Sequence, residues 1–524
     1  MRKLKIKNKY ILALLLIVVL GGFLRFYKLG EKVFVADEFL GVNTVHGFLE
    51  TGEWKRWDFN RGQLLEDEPY YKNFFDFDFW GGGETSYTRA WMYNWQIAQV
   101  LKFFPDDEES SFRITSALWG IISIMMTYFI AFKFTKNRVI SLIAAFLMAI
   151  SLDNIVFSRK VRMYSMFMPV FLVFSYYVFQ FLESKRKCGI ESVNKVNKRI
   201  GLNLMYFIPV ILLGLFSAHL HLLTVNIIPV VIIYFITIFI IKFLRHDNVK
   251  NKYGFFILLL AAVCLLFYSQ LGVVGSFLGI ENHYSYVNKI LFDYSDKFLA
   301  VLLIIFGTYY LSRKENKEGL FVSVVFWVTL LMSIFFWKRT AGEQYIYFIK
   351  PFQIILISGG IYGIASFLKD NLKKFGKCAY VVSIILFLLI VPNYIYFTIK
   401  DNFYSQTSTS ENPNYRKTFS YFLNHRQDGD ILITREFRNY YFRDANVDII
   451  SLGGERAKEG EKKITKSRLR GLLKNGKSCV WVIVSDNDKT FITKEAEVYI
   501  EDEMKKIRDV KTRGPISTYH ACPE

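Results

Sequence analysis

The chain has 524 residues, 52% of them hydrophobic and 18% aromatic, and a formal net charge of +20. Its mean hydropathy of +0.23 is too high for a soluble protein of this length and calls for several membrane spans. The Lys and Arg residues fall in short runs between apolar segments, which is a topology signal and not a nucleic-acid-binding patch, and the five cysteines, with no Cys-x-x-Cys spacing, argue against a thiolate metal site.

A basic head, residues 2–9, precedes an apolar run at 10–26 with no small-residue cleavage site after it, so a retained first helix is expected. Further runs of spanning length lie near 114–132, 139–157, 163–182, 201–218, 222–243, 254–271, 297–311, 319–337, 345–368 and 378–398. The expected fold is therefore a mainly α membrane protein of about eleven transmembrane helices. With residues 2–9 in the cytoplasm, the loops at 133–138, 185–199, 242–252, 313–317 and 369–377 share that side, and all are basic, as the positive-inside rule requires. The tail then lies on the extracytoplasmic side. On that side the loop at 158–162, Ser-Arg-Lys-Val-Arg, is cationic against the topology signal and points to another use.

The first outer loop, 27–113, is too long for a plain connector. Residues 85–104 mix Trp91, Tyr93, Trp95 and Phe103 with Arg89, Asn94, Gln96 and Lys102, which predicts an amphipathic helix lying in the interface. Acidic and capping residues at 105–111 then open the next span. From about residue 401 the pattern changes. Residues 430–434 and 480–485 read as buried strands, and 467–473 and 494–507 as helices. The expected domains are 1–400, transmembrane, and 401–524, a small extracytoplasmic α/β domain. Cys479 and Cys522 are the two cysteines on that side, either paired or free.

The chemistry-bearing candidates start with Asp37 and Glu38, adjacent carboxylates just past the first span. Glycosyl transfer to a hydroxyl needs a proton acceptor, and a carboxylate supplies one; an exposed loop pair or a helix cap is the plainer reading. Arg159 and Arg162, three apart with Tyr164 close by, are expected on one helix face, able to grip a phosphate. Headgroup contact or snorkelling is the alternative, and Asp153 is either an orienting group or a helix-end polar residue. His219 and His221 are a phosphate, sugar or metal ligand pair, or a polar helix junction. A divalent metal bridging a histidine there and Glu84 is the only cofactor the pattern suggests. Lys338 and Arg339, followed by Glu343, Tyr345, Tyr347 and Lys350, form a second outer basic pair, either converging on a phosphate or facing water. Residues 275–297 are either an amphipathic cover over a lipid groove or a plain interfacial loop.

Together, Asp37-Glu38 after the first span, residues 112–120 (Phe-Arg-Ile-Thr-Ser-Ala-Leu-Trp-Gly) and residues 158–164 (Ser-Arg-Lys-Val-Arg-Met-Tyr) resemble the GT-C glycosyltransferases. The likeness is to the group holding protein O-mannosyltransferases, the lipid A aminoarabinose transferase and related ArnT-like, RgtA-type enzymes. It covers about the first 400 residues in layout, with looser matches at His219 and at 345–351. The resemblance implies a polyprenyl-phosphate sugar donor bound from a membrane groove and transfer with inversion to a lipid, glycan or protein hydroxyl on the extracytoplasmic face. It implies Asp37 as base, Arg159 or Arg162 on the donor phosphate, Glu38 positioning the acceptor or Asp37, and no nucleic acid partner. Where many relatives carry Pro-Pro in the first loop, this chain has Gly81-Gly-Gly83-Glu84. A lipid-linked saccharide transporter or a non-catalytic envelope-assembly factor is the alternative; a transporter predicts charges within the spans, and these are nearly free of them.

Overall fold

A computed structural model describes residues 2–65, 90–104, 108–244, 279–313, 316–338, 342–372, 375–400, 402–405, 413–453, 463–475, 478–507 and 516–523. Its first helices are α1 (Arg2–Phe26), α2 (Ala36–Thr51), α3 (Trp91–Phe103), α4 (Glu109–Thr135), α5 (Arg138–Ile150), α6 (Leu152–Phe157) and α7 (Tyr164–Glu183). Two compact units result. One comprises Met1–Phe26, Ser116–Arg159 and Met163–Ile395; the other gathers Tyr27–Thr115 and Lys160–Arg162 with Tyr396–Glu524. The tail thus shares its unit with the first loop, where the sequence suggests a single division near residue 400.

Among the described residues of the first unit, not all of the expected apolar runs become helices of spanning length. Lys9–Phe26, Glu109–Thr135, Tyr164–Glu183, Leu222–Leu244, Lys317–Phe335 and Glu343–Asn371 are long and apolar enough. Arg138–Ile150, Lys297–Ser312 and Gly376–Ile390 are apolar but shorter, and Leu204–Leu220 meets the polar helix Glu191–Ile200 at a bend of 104°. The run at 254–271 lies outside the described residues. Among the described residues, six helices are of full length, or seven if the bent pair is one span, against the eleven expected from the whole sequence.

Local chemistry explains the breaks. The run at 139–157 is split at Ser151, whose hydroxyl accepts the Asn154 N–H at 3.2 Å and so caps α6. The polar helix Glu191–Ile200 ends at Gly201, which takes the left-handed conformation (φ 75°) that a glycine C-cap favours. The last apolar helix stops at Ile390, just ahead of Pro392, which has no N–H to continue it.

The second unit has a two-stranded hairpin, β1 (Trp57–Asp58) with β2 (Gln63–Leu64), and a five-stranded sheet. Its strands are β3 (Ile431–Thr434), β4 (Asp448–Ser451), β5 (Val480–Ser485), β6 (Lys505–Lys506) and β7 (Ile516–Ala521), in the order β4-β3-β5-β7-β6. β3 runs parallel to β4 and β5, and β7 antiparallel to β5 and β6. Every residue of β5 is buried, as a central strand covered on both faces requires. Leu469 from Lys466–Asn475 and Ala496 and Ile500 from Lys494–Glu503 pack on Ile433, Val480, Val482 and Val484. The second expected helix, 494–507, stops at Glu503, and the chain then enters β6.

Cys479 and Cys522 form a disulfide next to the Val480–Ala521 pair of the β5–β7 ladder. The first loop is tied to the tail by reciprocal bonds. Asn60 donates Nδ2 to Val447 O and accepts the Val447 N–H, both at 2.9 Å. Asn43 Nδ2 reaches Asn439 Oδ1 at 3.0 Å, and Asp444 N donates to Phe59 O at 2.8 Å.

Candidate functional site

The two acidic candidates lie in the first turn of α2, where carboxylates favour the exposed N–H groups of the helix start. Glu38 is buried and fully engaged. Its Oε2 accepts the Val35 N–H at 3.0 Å, the reach-back of a helix capping residue, and Arg113 Nη2 at 3.0 Å. Its Oε1 accepts Arg113 Nε at 3.0 Å and the Val161 N–H at 2.8 Å. A carboxylate holding four donors has no oxygen lone pair to spare for a substrate proton. Glu38 thus caps α2 and ties Val35, Arg113 and Val161 together next to Asp37.

Arg113, at the entrance of α4, organises this turn, which its place in the sequence does not announce. Besides Glu38, its guanidinium donates to Leu29 O, Lys32 O and Val33 O at 3.1, 2.6 and 3.1 Å. All five of its N–H groups are used, so it folds the chain from Leu29 to Val33 around its head. The signal was available as a cation at the mouth of an apolar run; its direction was not.

Asp37 is the exposed member of the pair. Its Oδ2 lies 3.5 Å from Arg162 Nη2. Arg159 and Arg162 do not share a helix face. α6 ends at Phe157, the Ser158 N–H closes it on Asn154 O, and residues 158–163 form turns before α7 begins at Tyr164. Arg159 belongs to the first unit, is 6% exposed and donates Nη1 to Arg25 O at 2.9 Å; Arg162 belongs to the second.

The tail reaches the same loop through Tyr441. The Tyr441 hydroxyl accepts the Phe34 N–H at 2.8 Å and donates to Glu109 Oε1 at 2.9 Å, and Glu109 is also held by Arg416. Burial, reinforced by the Glu109 carboxylate, raises the Tyr441 phenol well above its usual range, so it stays a donor. Phe34 itself sits among Phe39, Phe112, Tyr440 and Tyr441.

In the first unit the structure brings together Tyr164, His221 and Tyr345. The His221 ring lies 5.4 Å from Tyr164, 5.5 Å from Phe167 and 6.2 Å from Tyr345. His221 Nδ1 accepts the Leu223 N–H at 3.1 Å and starts the next helical turn, which leaves Nε2 as the proton-bearing nitrogen of the neutral ring. His219, two residues earlier on the last turn of Phe207–Leu220, is buried. Glu84 and Arg339 lie outside the described residues, so the metal reading that used Glu84 has no geometry here. Among the described residues, the one trio of metal-ligating side chains close enough to share an ion is Cys479, His520 and Cys522, and two of its members are bonded to each other.

A second buried polar cluster, again not foreseen, joins α6 to later helices. Lys350 Nζ lies 2.6 Å from Asp153 and 3.1 Å from Asp293, and donates to Ile290 O at 2.8 Å. Asp293 also accepts the Ser151 hydroxyl at 2.7 Å and the Asp153 N–H at 3.1 Å. Beside it, Asn154 donates to Ser123 Oγ and Tyr347 Oη at 3.1 and 2.7 Å and accepts from Arg25. Arg25 is itself wholly buried. Its guanidinium donates to Met148 O and Ala149 O at 3.1 and 3.0 Å, the terminal carbonyls of α5 that no helical N–H can reach.

The family model for dolichyl-phosphate-mannose-protein mannosyltransferase matches residues 88–190. No curated protein sequence matches the chain. Among solved structures, ArnT from Cupriavidus metallidurans bound to undecaprenyl phosphate superposes with a TM-score of 0.55 at 10% identity, covering 98% of each chain. The Archaeoglobus fulgidus oligosaccharyltransferase in its apo form gives 0.52 at 10% identity over 91% of this chain and 69% of that one. AglB of the same organism, in complex with an inhibitory peptide and a dolichol-phosphate, gives 0.50 at 12% identity with the same coverage.

Proposed function

We propose that this chain, which has the GT-C glycosyltransferase fold of the ArnT and protein mannosyltransferase type, is a multi-pass membrane glycosyltransferase with a polyprenyl-phosphate-linked sugar as donor. The acceptor is a hydroxyl of a lipid, glycan or protein on the extracytoplasmic face. The acceptor oxygen attacks the anomeric carbon as the bond from that carbon to the phosphate oxygen breaks. Asp37 takes the hydroxyl proton, the polyprenyl phosphate leaves with the bonding pair, and one displacement inverts the anomeric centre. The cation beside the base, Arg162, balances the charge growing on the leaving phosphate. Within the first unit, Tyr164, His221 and Tyr345 offer ring faces and a donor N–H of the kind that suits a sugar.

The observation that carries this reading is the contrast within one dipeptide. Glu38 is sealed by four donors, while Asp37 stands open beside a single guanidinium. The test is Asp37→Asn, assayed in membranes supplied with radiolabelled polyprenyl-phosphate sugars. Transfer falls at least about a hundredfold, the usual size of a general-base contribution, with insertion unchanged. Transfer at the wild-type rate would remove Asp37 as base.

A further inference from the structure

Arg162 has one feature that a fixed phosphate ligand would not need: its head group is already on the base. Nη2 lies 3.5 Å from Asp37 Oδ2, with side-chain exposures of 23% for Arg162 and 58% for Asp37. The backbone on both sides of this pair is anchored by one group. Glu38, next to Asp37, accepts the N–H of Val161, next to Arg162, at 2.8 Å. Gly41, one turn further along α2, faces Val161 so closely that an added Cβ would meet its Cγ1 at 3.3 Å. The main chain on both sides of the pair is therefore held in place, and a change of partner by Arg162 would need only its side chain to move. An ion pair with an exposed carboxylate is weak, and a phosphate accepting two parallel guanidinium bonds competes with it well.

We propose that Arg162 is exchanged between two anions: it pairs with Asp37 before the donor binds and with the donor phosphate afterwards. While the pair holds, a carboxylate oxygen of Asp37 is occupied. When an isoprenyl phosphate takes the guanidinium, that oxygen becomes free to accept the acceptor's proton. Base readiness is thereby tied to donor occupancy, and binding is ordered, donor before acceptor. This rests on the transferase reading above and adds to it a thermodynamic coupling between Asp37 and the lipid phosphate.

The coupling has an outcome opposite to intuition for a catalytic residue. The probe is a C55 isoprenyl monophosphate without sugar, titrated into the full-length protein in nanodiscs, for wild type, Asp37→Asn, Arg162→Gln and the double variant. Asp37→Asn tightens binding about two- to five-fold, the factor by which an exposed ion pair competes, while Arg162→Gln weakens it. In the Arg162→Gln background Asp37→Asn changes nothing, because the competition has gone. Equal tightening in both backgrounds means a diffuse charge effect and overturns the exchange, as does unchanged or weaker binding by Asp37→Asn. Loss of transfer by Asp37→Asn without tightening overturns the exchange alone; retained transfer overturns the base assignment on which it rests.

Discussion

Asp37 and Glu38 are neighbours in the chain whose side chains have opposite surroundings, 58% exposed in one and 1% in the other. The difference follows from the helix start. The third residue of α2 can reach back to the N–H of Val35, and the second points away.

Substitutions at the two positions should therefore separate. Glu38→Gln leaves Arg113 buried without its countercharge, which costs about 3–5 kcal/mol when one partner of a sealed pair is lost. Thermal unfolding in detergent should fall sharply for Glu38→Gln and hardly at all for Asp37→Asn. Equal melting temperatures would mean that the Glu38–Arg113 fork contributes little.

Tyr441→Phe keeps the ring in place and removes one oxygen that serves two partners, Phe34 N–H and Glu109. The expected loss is about 1–3 kcal/mol, the cost of leaving a buried donor unmet. There is also a pH signature. A phenol whose folded value lies above its unfolded value of 10.0 adds stability that is intact below pH 10 and is lost as pH rises through the folded value. Wild type should weaken in strong alkali by a component that Tyr441→Phe lacks, as seen in melting curves taken across that range.

Gly120 lets two segments of the first unit approach closely: a methyl group there would collide with the side chains of Ser158 and Arg25. Gly120→Ala should destabilise by about 1–3 kcal/mol, the usual cost of overpacking. At Gly22 the added carbon would meet only Ile121 Cδ1, at an ordinary 3.4 Å, so Gly22→Ala serves as the tolerated control. Comparable melting temperatures for the two variants would contradict this packing.

The disulfide closes a loop of 43 residues, which on the chain-entropy account is worth up to about 4 kcal/mol to the tail. Peptide mass spectrometry without reductant should recover Cys479 and Cys522 in one linked species, and Cys479→Ser should lower the protection of β5 and β7 amides from hydrogen exchange. Unlinked peptides would refute the pairing.

Much of this architecture is legible in the sequence because hydropathy and charge runs are one-dimensional signals. The positions of many of the apolar helices and the strands at Ile431–Thr434 and Val480–Ser485 follow from it. What escapes is direction. A run of apolar residues at 139–157 does not announce that Ser151 will stop the helix and start another. Arg159 and Arg162 are three apart, which on a helix means one face; the chain turns there instead, and their heads go to Arg25 O and Asp37. Lys350, Asp153 and Asp293 come from segments up to two hundred residues apart, and no local pattern links them.

Arg25 shows what this means for anyone rebuilding the protein. Because its guanidinium stoppers the end of α5 and its carbonyl receives Arg159, the first helix is a structural insert rather than an interchangeable tether. A chimera carrying a foreign hydrophobic anchor of equal length would still enter the bilayer. It would also leave α5 with dangling carbonyls and the turn after α6 without its rest, so grafted versions should be designed with the arginine and its register preserved.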